Sequence, residues 1–266
     1  MEGASVFTID AMTWDNKEIK IREGMSEQEA DKIKKLLSDI DDLLAHSIKS
    51  RMVIENTNDF LKCFNALKLG KEFDFVDVNR HLENVINSFY SWTEFTEKHY
   101  KDIFAGIRSG FYDGNLEYRT LFELRTCATH KMLPIHSISF LLDKGGIPKI
   151  EIDPQFILDN GNMKKSKNFY KELVKMKEDG KTIDLETIII AMNMDMPGYE
   201  KTLLKAINPS IAPRVEDLIK DWPGNVNFVV MHDEQERAVS GNLIAPVNEY
   251  NKLLSEYKIA WGGKAQ

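Results

Sequence analysis

Apolar residues recur every three or four positions through most of the first half of the chain, which is the spacing of one helix face. The pattern predicts a first helix that begins at the capping-box sequence 26–29 and includes the apolar positions of Ile33–Ile48. A second helix is predicted over Ile54–Leu69, and a longer third helix over Val78–Ile107, ending at Ser109 and Gly110. The first half of the chain is therefore expected to be mainly helical.

A fourth helix is predicted to carry Arg125 and His130 after the turn-rich segment Gly110–Asn115. Pro134 follows shortly afterwards. Its missing amide hydrogen removes the helical bond to the carbonyl of residue 130, which predicts a kink or a restart of the helix beside His130. Residues five positions apart in a straight helix lie about 140° apart around the axis and about 7.5 Å along it. A local distortion is therefore expected to help the two side chains converge.

Shorter elements are predicted at the N-terminus and in the second half of the chain. Two β-like runs, Val6–Ile9 and Glu18–Ile21, predict a small hairpin. Beyond residue 148, strands are predicted at Ile147–Ile152 and Asn225–Met231, and helices after Asp153 and Pro154, at Lys167–Lys177, at Asp184–Met194 with a break at Pro197 and Gly198, and at Pro246–Lys258. The predicted fold class is mainly α, with a helical bundle domain over residues 1–148 that includes the hairpin and a smaller α+β domain over residues 149–266.

Composition narrows the classes of protein that this chain can be. With 266 residues, 42% of them hydrophobic, the chain can bury a sizeable core. It contains no run of about 18 apolar residues and no secretion signal at its N-terminus, so the sequence predicts a soluble, cytoplasmic protein without a membrane association. The formal net charge of −7 restricts any contact with nucleic acid to a local site.

Neither a cofactor nor a metal is predicted. The two cysteines, Cys63 and Cys127, lie far apart in the sequence, without the spacing of a zinc site or of a disulfide framework. The chain also lacks the glycine-rich phosphate loop, the dinucleotide-binding fingerprint and the nucleophile elbow. Most classes of cofactor-dependent enzyme therefore have no support in the sequence.

The spacing of Arg125 and His130 is the strongest chemical signal in the sequence. A histidine can accept or donate a proton near neutral pH. An arginine is always charged and can hold a phosphate through two hydrogen bonds while negative charge develops on it. Together, the two residue types can cleave RNA without a metal ion.

The residues around this pair resemble the HEPN superfamily (higher eukaryotes and prokaryotes nucleotide-binding), and in particular its bacterial toxin and defence relatives. The resemblance rests on Leu124–Ile135, which is similar to a Leu-Arg-Asn-x-x-x-His-x-x-x-Pro-Ile pattern, and on Asn79–Asn84, which is similar to an upstream Asn-Arg-x-x-x-Asn pattern. It covers about residues 25 to 145. HEPN domains are helical, carry an Arg-x4-6-His motif and often act as metal-independent ribonucleases that dimerise with their motifs in a shared cleft.

The resemblance implies catalytic roles for Arg125 and His130. A ribose 2′-hydroxyl would attack the adjacent phosphorus, His130 would assist proton transfer, and Arg125 would stabilise the charged transition state. Asn79 and Asn84 would order the active-site helix, although Asn79 could instead cap a helix. Thr126 would support the pair, but it stands where the family usually has Asn, Asp or His.

RNA-binding positions follow from the same resemblance and from local charge. Tyr118, Arg119 and Lys131 would flank the cleft and contact RNA by stacking and through phosphates. The segment from residue 162 to 177 has six lysines and one acidic residue, and Lys164, Lys165 and Lys167 in it are predicted to contact the RNA backbone. A solvated helix face is the alternative for this segment.

Two functions follow from these observations. The first is a metal-independent endoribonuclease of toxin or defence type that acts as a homodimer and cleaves RNA by 2′-hydroxyl transesterification. The alternative is a non-catalytic HEPN-like binding or assembly protein that acts through a protein partner, in which Thr126 marks the loss of chemistry. The aromatic residues around Trp92 are predicted to belong either to the core or to the dimer interface.

Overall fold

A computed structural model describes residues 7–12, 19–25, 27–70, 74–130, 139–141, 147–161, 167–221, 227–230, 239–242 and 244–260. Within these ranges the protein is mainly α, as the sequence predicts. No helix in them is long and apolar enough to cross a membrane. The elements in chain order are β1 (Phe7–Met12), β2 (Ile19–Met25), α1 (Glu27–Lys68), α2 (Phe75–His99), α3 (Lys101–Gly114), α4 (Leu116–His130), β3 (Ser139–Leu141), β4 (Ile147–Lys149), β5 (Glu151–Ile152), α5 (Pro154–Asn160), α6 (Lys167–Glu178), β6 (Ile183–Asp184), α7 (Leu185–Asp221), β7 (Asn227–Val230), β8 (Val239–Asn242) and α8 (Ile244–Glu256).

The chain forms two compact units, residues 1–45 with 204–266 and residues 46–203. This grouping differs from the predicted division at residue 148, which falls inside the second unit. The difference arises because α5, which follows that position, packs against both α4 and α6. The division into an N-terminal helical domain and a C-terminal α+β domain stays a prediction.

The first unit contains an antiparallel sheet with the strand order β2-β1-β7-β8. The predicted N-terminal hairpin is confirmed, since β1 pairs with β2, and the predicted strand near the C-terminus is confirmed as β7. The buried side chains in the helical part of this unit come from α1, α7 and α8 and are mostly aliphatic. Arg214 of α7 forms an ion pair of 2.6 Å with Asp39 of α1, and the hydroxyl of Tyr250 in α8 bonds to Asn208 of α7.

The second unit is helical around an aromatic core, with two short two-stranded sheets, β3-β4 and β5-β6. The ring of Trp92 in α2 is fully buried and contacts Phe104 of α3 and Tyr199 of α7. Phe89 of α2 contacts Tyr118 of α4 in an edge-to-face arrangement at 5.0 Å. Phe89 and Trp92 therefore belong to the core of the chain itself, whereas Tyr90 and Phe95 are half-buried and their place in a dimer interface stays a prediction.

Helix α1 is one continuous helix where the sequence predicts two. The apolar pattern is interrupted after Ile48, but the buried stripe continues through the polar residues Ser47, Ser50 and Thr57. No glycine or proline lies between the two predicted helices, at residues 49–53, so no residue there interrupts the helical hydrogen bonds.

The predicted third helix is divided into α2 and α3. The division lies at Tyr100, whose backbone has φ −129° and ψ 37° and whose ring meets His46 edge-on at 6.0 Å. Helix α3 then continues through Gly110 as far as Gly114, because one glycine in a helix costs only about 1 kcal/mol. The segment predicted as a turn is therefore mostly helical.

Helix α7 continues through Pro197, where the sequence predicts a break. It also contains Pro209 and Pro213, and all three prolines lie on the solvent-exposed side of the helix. A proline removes one helical hydrogen bond, but on an exposed face water can satisfy the freed carbonyl. Packing of the buried side, which includes Met196 and Leu203, then stabilises the helix across these positions.

Three other local predictions are confirmed. The side chain of Asp153 caps α5 by accepting a hydrogen bond of 2.8 Å from the amide of Gln155, with Pro154 in the first turn. Helix α6 ends before Gly180, whose φ of 65° favours glycine. Helix α8 lies where the last helix is predicted.

Candidate functional site

Arg125 and His130 lie on the same helix, α4. Its inward side packs against α2 and α3 through buried residues at helical spacing, including Leu121, Leu124 and Cys127. Arg125 and Thr126 are half-buried at the edge of this inward side. The side chain of His130, the last residue of the helix, lies outside the described residues, as do Lys131 and Pro134 with the predicted kink.

The guanidinium of Arg125 lies over the aromatic ring of Tyr90 in α2. This cation–π contact holds the charged group near the face of an aromatic ring and limits its rotamer freedom. Tyr90 is itself half-buried, so the contact lies at the margin of the aromatic core. The structure thus describes a positive charge in a defined position on α4.

The geometry of α4 constrains how the two candidate catalytic residues can cooperate. The helix is continuous from Leu116 to His130. Positions 125 and 130 in a regular helix project about 140° apart around the axis. A regular helix would thus separate the two positions around its axis, and only the Arg125 side chain is described.

Tyr118 does not lie where the sequence places it. Its side chain is fully buried and its ring contacts Phe89, Phe111 and Tyr199. Burial raises the pKa of its hydroxyl well above the ordinary value. The prediction that Tyr118 stacks on RNA is wrong, because helical periodicity turns this position toward the aromatic core.

The guanidinium of Arg119 also interacts with other groups of the protein. Its guanidinium forms an ion pair of 2.9 Å with Glu172 of α6 and lies 5.2 Å from the ring centre of Phe169. It also donates a hydrogen bond of 3.2 Å to the carbonyl of Asp113. Only 11% of the side chain is exposed, and Arg119 joins α4 to α6, while its contact with RNA stays a prediction.

The predicted supporting asparagines have different surroundings. Asn79 is buried in α2 and donates a hydrogen bond of 3.2 Å to the carbonyl of Phe75, one turn earlier. It is not a helix cap, because Asp74 caps α2 by accepting a hydrogen bond of 2.8 Å from the amide of Val76. Asn84 is exposed on the same helix.

The predicted RNA-binding lysines are described only in part. Lys167 is exposed in the first turn of α6. Lys164 and Lys165 lie outside the described residues. No group of three or more metal-binding side chains occurs in the described part of the chain.

The sequence interpretation missed a polar network in the core of the second unit. His46 of α1 places Nδ1 3.2 Å from both carboxylate oxygens of Glu200 in α7 and Nε2 2.8 Å from the hydroxyl of Thr96 in α2. All three side chains are fully buried. A signal was present, since His46 lies three residues after Leu43 and therefore on the apolar face of its helix.

A second buried carboxylate belongs to α4. Glu117 accepts a hydrogen bond of 2.6 Å from the hydroxyl of Tyr199 in α7. Burial, followed by this hydrogen bond, raises the pKa of Tyr199 far above its ordinary value. Helix α4 is thus fixed to the core by polar as well as apolar contacts.

Comparison with models of known protein families, with curated proteins and with solved structures found no significant match.

Proposed function

We propose that the protein is a metal-independent endoribonuclease of toxin or defence type that cleaves cellular RNA at Arg125 and His130. The observation that supports this most is the position of Arg125, whose guanidinium is held over Tyr90 at the half-buried edge of the helix that also carries His130. A charged group restrained in this way can bind a phosphate with little further loss of rotamer freedom. The resemblance of the surrounding sequence to HEPN ribonucleases points to the same chemistry.

In the proposed reaction, His130 accepts the proton of a ribose 2′-hydroxyl. The 2′-oxygen then forms a bond to the adjacent phosphorus, and the bond from phosphorus to the 5′-oxygen of the next nucleotide breaks. That 5′-oxygen takes up a proton from solvent. Arg125 stabilises the negative charge that develops on the phosphate oxygens. The products are a 2′,3′-cyclic phosphate and a 5′-hydroxyl.

The active form is proposed to be a homodimer. Positions five apart are separated by about 140° around the axis of a regular helix, and a second chain can then supply the complementary residue to a shared phosphate. Light scattering should therefore report a dimer at micromolar concentration without RNA. A strict monomer that cleaves RNA would contradict the shared cleft.

The test is cleavage of a panel of end-labelled RNAs by the wild-type protein and by His130→Ala and Arg125→Ala. Each substitution should lower the cleavage rate by about a hundredfold or more, with an unchanged circular dichroism spectrum. A chelator should have no effect, and DNA, which lacks the 2′-hydroxyl, should stay intact. The matched control is Lys98→Ala, which removes an exposed positive charge from α2.

The proposal fails if the folded wild-type protein leaves all the RNAs intact, or if cleavage survives His130→Ala and stops with a chelator. Non-catalytic binding to a protein partner is the second candidate function. It is favoured by the burial of Tyr118, which removes one predicted RNA contact, and by the pairing of Arg119 with Glu172. Stable capture of one protein partner by the wild-type chain, lost in Arg125→Ala, with no RNA cleavage, would support it.

A further inference from the structure

One side of α6 is positively charged and faces solvent. Lys167, Lys171 and Lys175 are exposed and follow one another at intervals of four residues, which is about 6 Å along a helix axis. Tyr170, with 47% of its surface exposed, borders these lysines about 60° around the helix from Lys167. We call these four residues the α6 lysine face.

The lysines of this face form no ion pair within the described ranges. The acidic charge of Asp179 acts on the face, since the pKa of Asp179 is lowered mainly by Lys181 and to a lesser extent by Lys175. Glu172 on the same helix is paired with Arg119 of α4, and Glu178 lies at the C-terminal end of the helix. The α6 lysine face is thus a local positive surface on a chain with a formal net charge of −7.

The face is also fixed to the helix that carries the proposed catalytic pair. Arg119 of α4 contacts both Glu172 and Phe169 of α6, and α5 packs against both helices. An RNA strand bound along α6 would therefore be held in a constant relation to α4. Such fixed positioning lowers the entropic cost of bringing a phosphate to a catalytic group.

We propose that the α6 lysine face binds single-stranded RNA, with the three lysines contacting successive phosphates and Tyr170 stacking on a base. The inference rests on the proposed ribonuclease function and identifies where the substrate strand is held away from the bond that is cleaved. Lysines beside an exposed aromatic side chain are the combination used to bind single strands. A membrane surface is less suited, because the apolar residues Phe169 and Leu173 of α6 are buried in the protein and cannot enter a bilayer.

The experiment measures binding of a fluorescent single-stranded RNA by anisotropy in the His130→Ala background, which leaves the RNA intact. Substituting Lys167, Lys171 and Lys175 together with glutamine should lower the affinity about tenfold or more at low salt. It should also reduce the slope of log K against log salt concentration by about 2, since each phosphate contact on a single strand contributes about 0.7. The matched control substitutes three exposed lysines of the first unit, Lys32, Lys35 and Lys205, and should change neither quantity by as much.

Tyr170 gives a test that does not depend on charge. Tyr170→Ala should lower the affinity about tenfold, while Tyr170→Phe, which keeps the ring, should retain most of it. Equal losses for the two substitutions would remove stacking from the proposal.

The outcomes separate this proposal from the ribonuclease assignment. If the triple variant binds RNA as the control does, and the wild-type protein cleaves RNA, the α6 lysine face is excluded as the RNA-binding surface and the proposal for the catalytic pair stands. If the triple variant loses binding but no variant cleaves RNA, the face is supported and the ribonuclease function fails. If the triple variant binds RNA as well as the control does but no longer binds vesicles with 30 mol% phosphatidylserine, the proposal is overturned in favour of a membrane surface.

Discussion

The second unit contains two polar sites with opposite properties. His46 and its two polar partners, Thr96 and Glu200, are fully buried, and each ring nitrogen of His46 lies near an oxygen of another helix. Around Arg125, the side chains are half-buried and the charge lies over an aromatic ring. The first arrangement excludes substrate, whereas the second lies at a half-buried edge of the unit. Whether a polar residue such as a histidine can act on a substrate therefore depends on its burial and on its hydrogen-bond partners.

The hydrogen atoms of the His46 network can be assigned in part from its geometry. Thr96 donates its single hydroxyl proton to the carbonyl of Trp92 at 2.7 Å, so its oxygen must accept the Nε2 hydrogen of His46. One further proton is shared between Nδ1 and the carboxyl group of Glu200. The network thus joins α1, α2 and α7, and each partner requires the others to remain satisfied.

The largest effect is expected from breaking this network. Glu200→Leu should lower the free energy of unfolding by about 3–5 kcal/mol, because it leaves the buried His46 without its acidic partner. The measurement is urea unfolding followed by circular dichroism. The double variant His46→Leu with Glu200→Leu should recover much of the loss, since both buried polar groups are then removed together.

The control for this prediction is Asn193→Ala. Asn193 of α7 donates a hydrogen bond of 2.8 Å to Asn58 of α1, so it joins two of the same helices at a less buried position. Its loss should cost only about 1 kcal/mol. Equal effects of Asn193→Ala and Glu200→Leu would show that burial does not distinguish these contacts.

A smaller effect, on the pH dependence of stability, is expected from substituting Cys127 on the inward side of α4. Burial raises the pKa of its thiol to about 12, above its ordinary value, so the folded protein keeps this proton at a pH where the unfolded chain loses it. The associated stability is complete below about pH 8.5 and is lost toward pH 12, at about 1.4 kcal/mol per pH unit. Between pH 9 and 10, Cys127→Ala should therefore lose stability less steeply than the wild-type protein.

The comparison variant is Cys63→Ala in α1. Cys63 is half-buried, and its pKa is also raised by burial. Its substitution should flatten the same pH dependence less than Cys127→Ala does. Urea titrations at pH 8, 9 and 10 can measure both slopes. A steeper slope for Cys127→Ala than for the wild type would contradict the assignment.

The smallest effect is expected on RNA cleavage when the aromatic ring that contacts Arg125 is removed. Tyr90→Ala removes the ring under the guanidinium and should lower RNA cleavage several-fold, in line with a cation–π contact of about 1 kcal/mol. Tyr90→Phe keeps the ring face and should retain most of the cleavage. The loss should appear mainly in kcat if the ring positions Arg125 for the transition state. Equal activity of Tyr90→Ala and the wild type would exclude this role.

The candidate site could be predicted from the sequence only as far as its residue types. The sequence places Arg125 and His130 on one helix, and α4 confirms that helix. It does not show that Tyr118 turns inward or that Arg119 pairs with Glu172, because both facts depend on helices that are distant in sequence. The His46 network was missed for the same reason, since its partners are separated by 50 and 154 positions.

The sequence by itself determined the elements whose causes are local. The apolar spacing of α4, the cap of α5 by Asp153 and the end of α6 before Gly180 depend on residues within a few positions of one another. Only the tertiary structure decided that α1 continues through polar positions, that α2 and α3 are separated at Tyr100 and that α7 continues through Pro197. The physical reason is that a marginal helix position is settled by the side chains that pack against it, and those come from other parts of the chain.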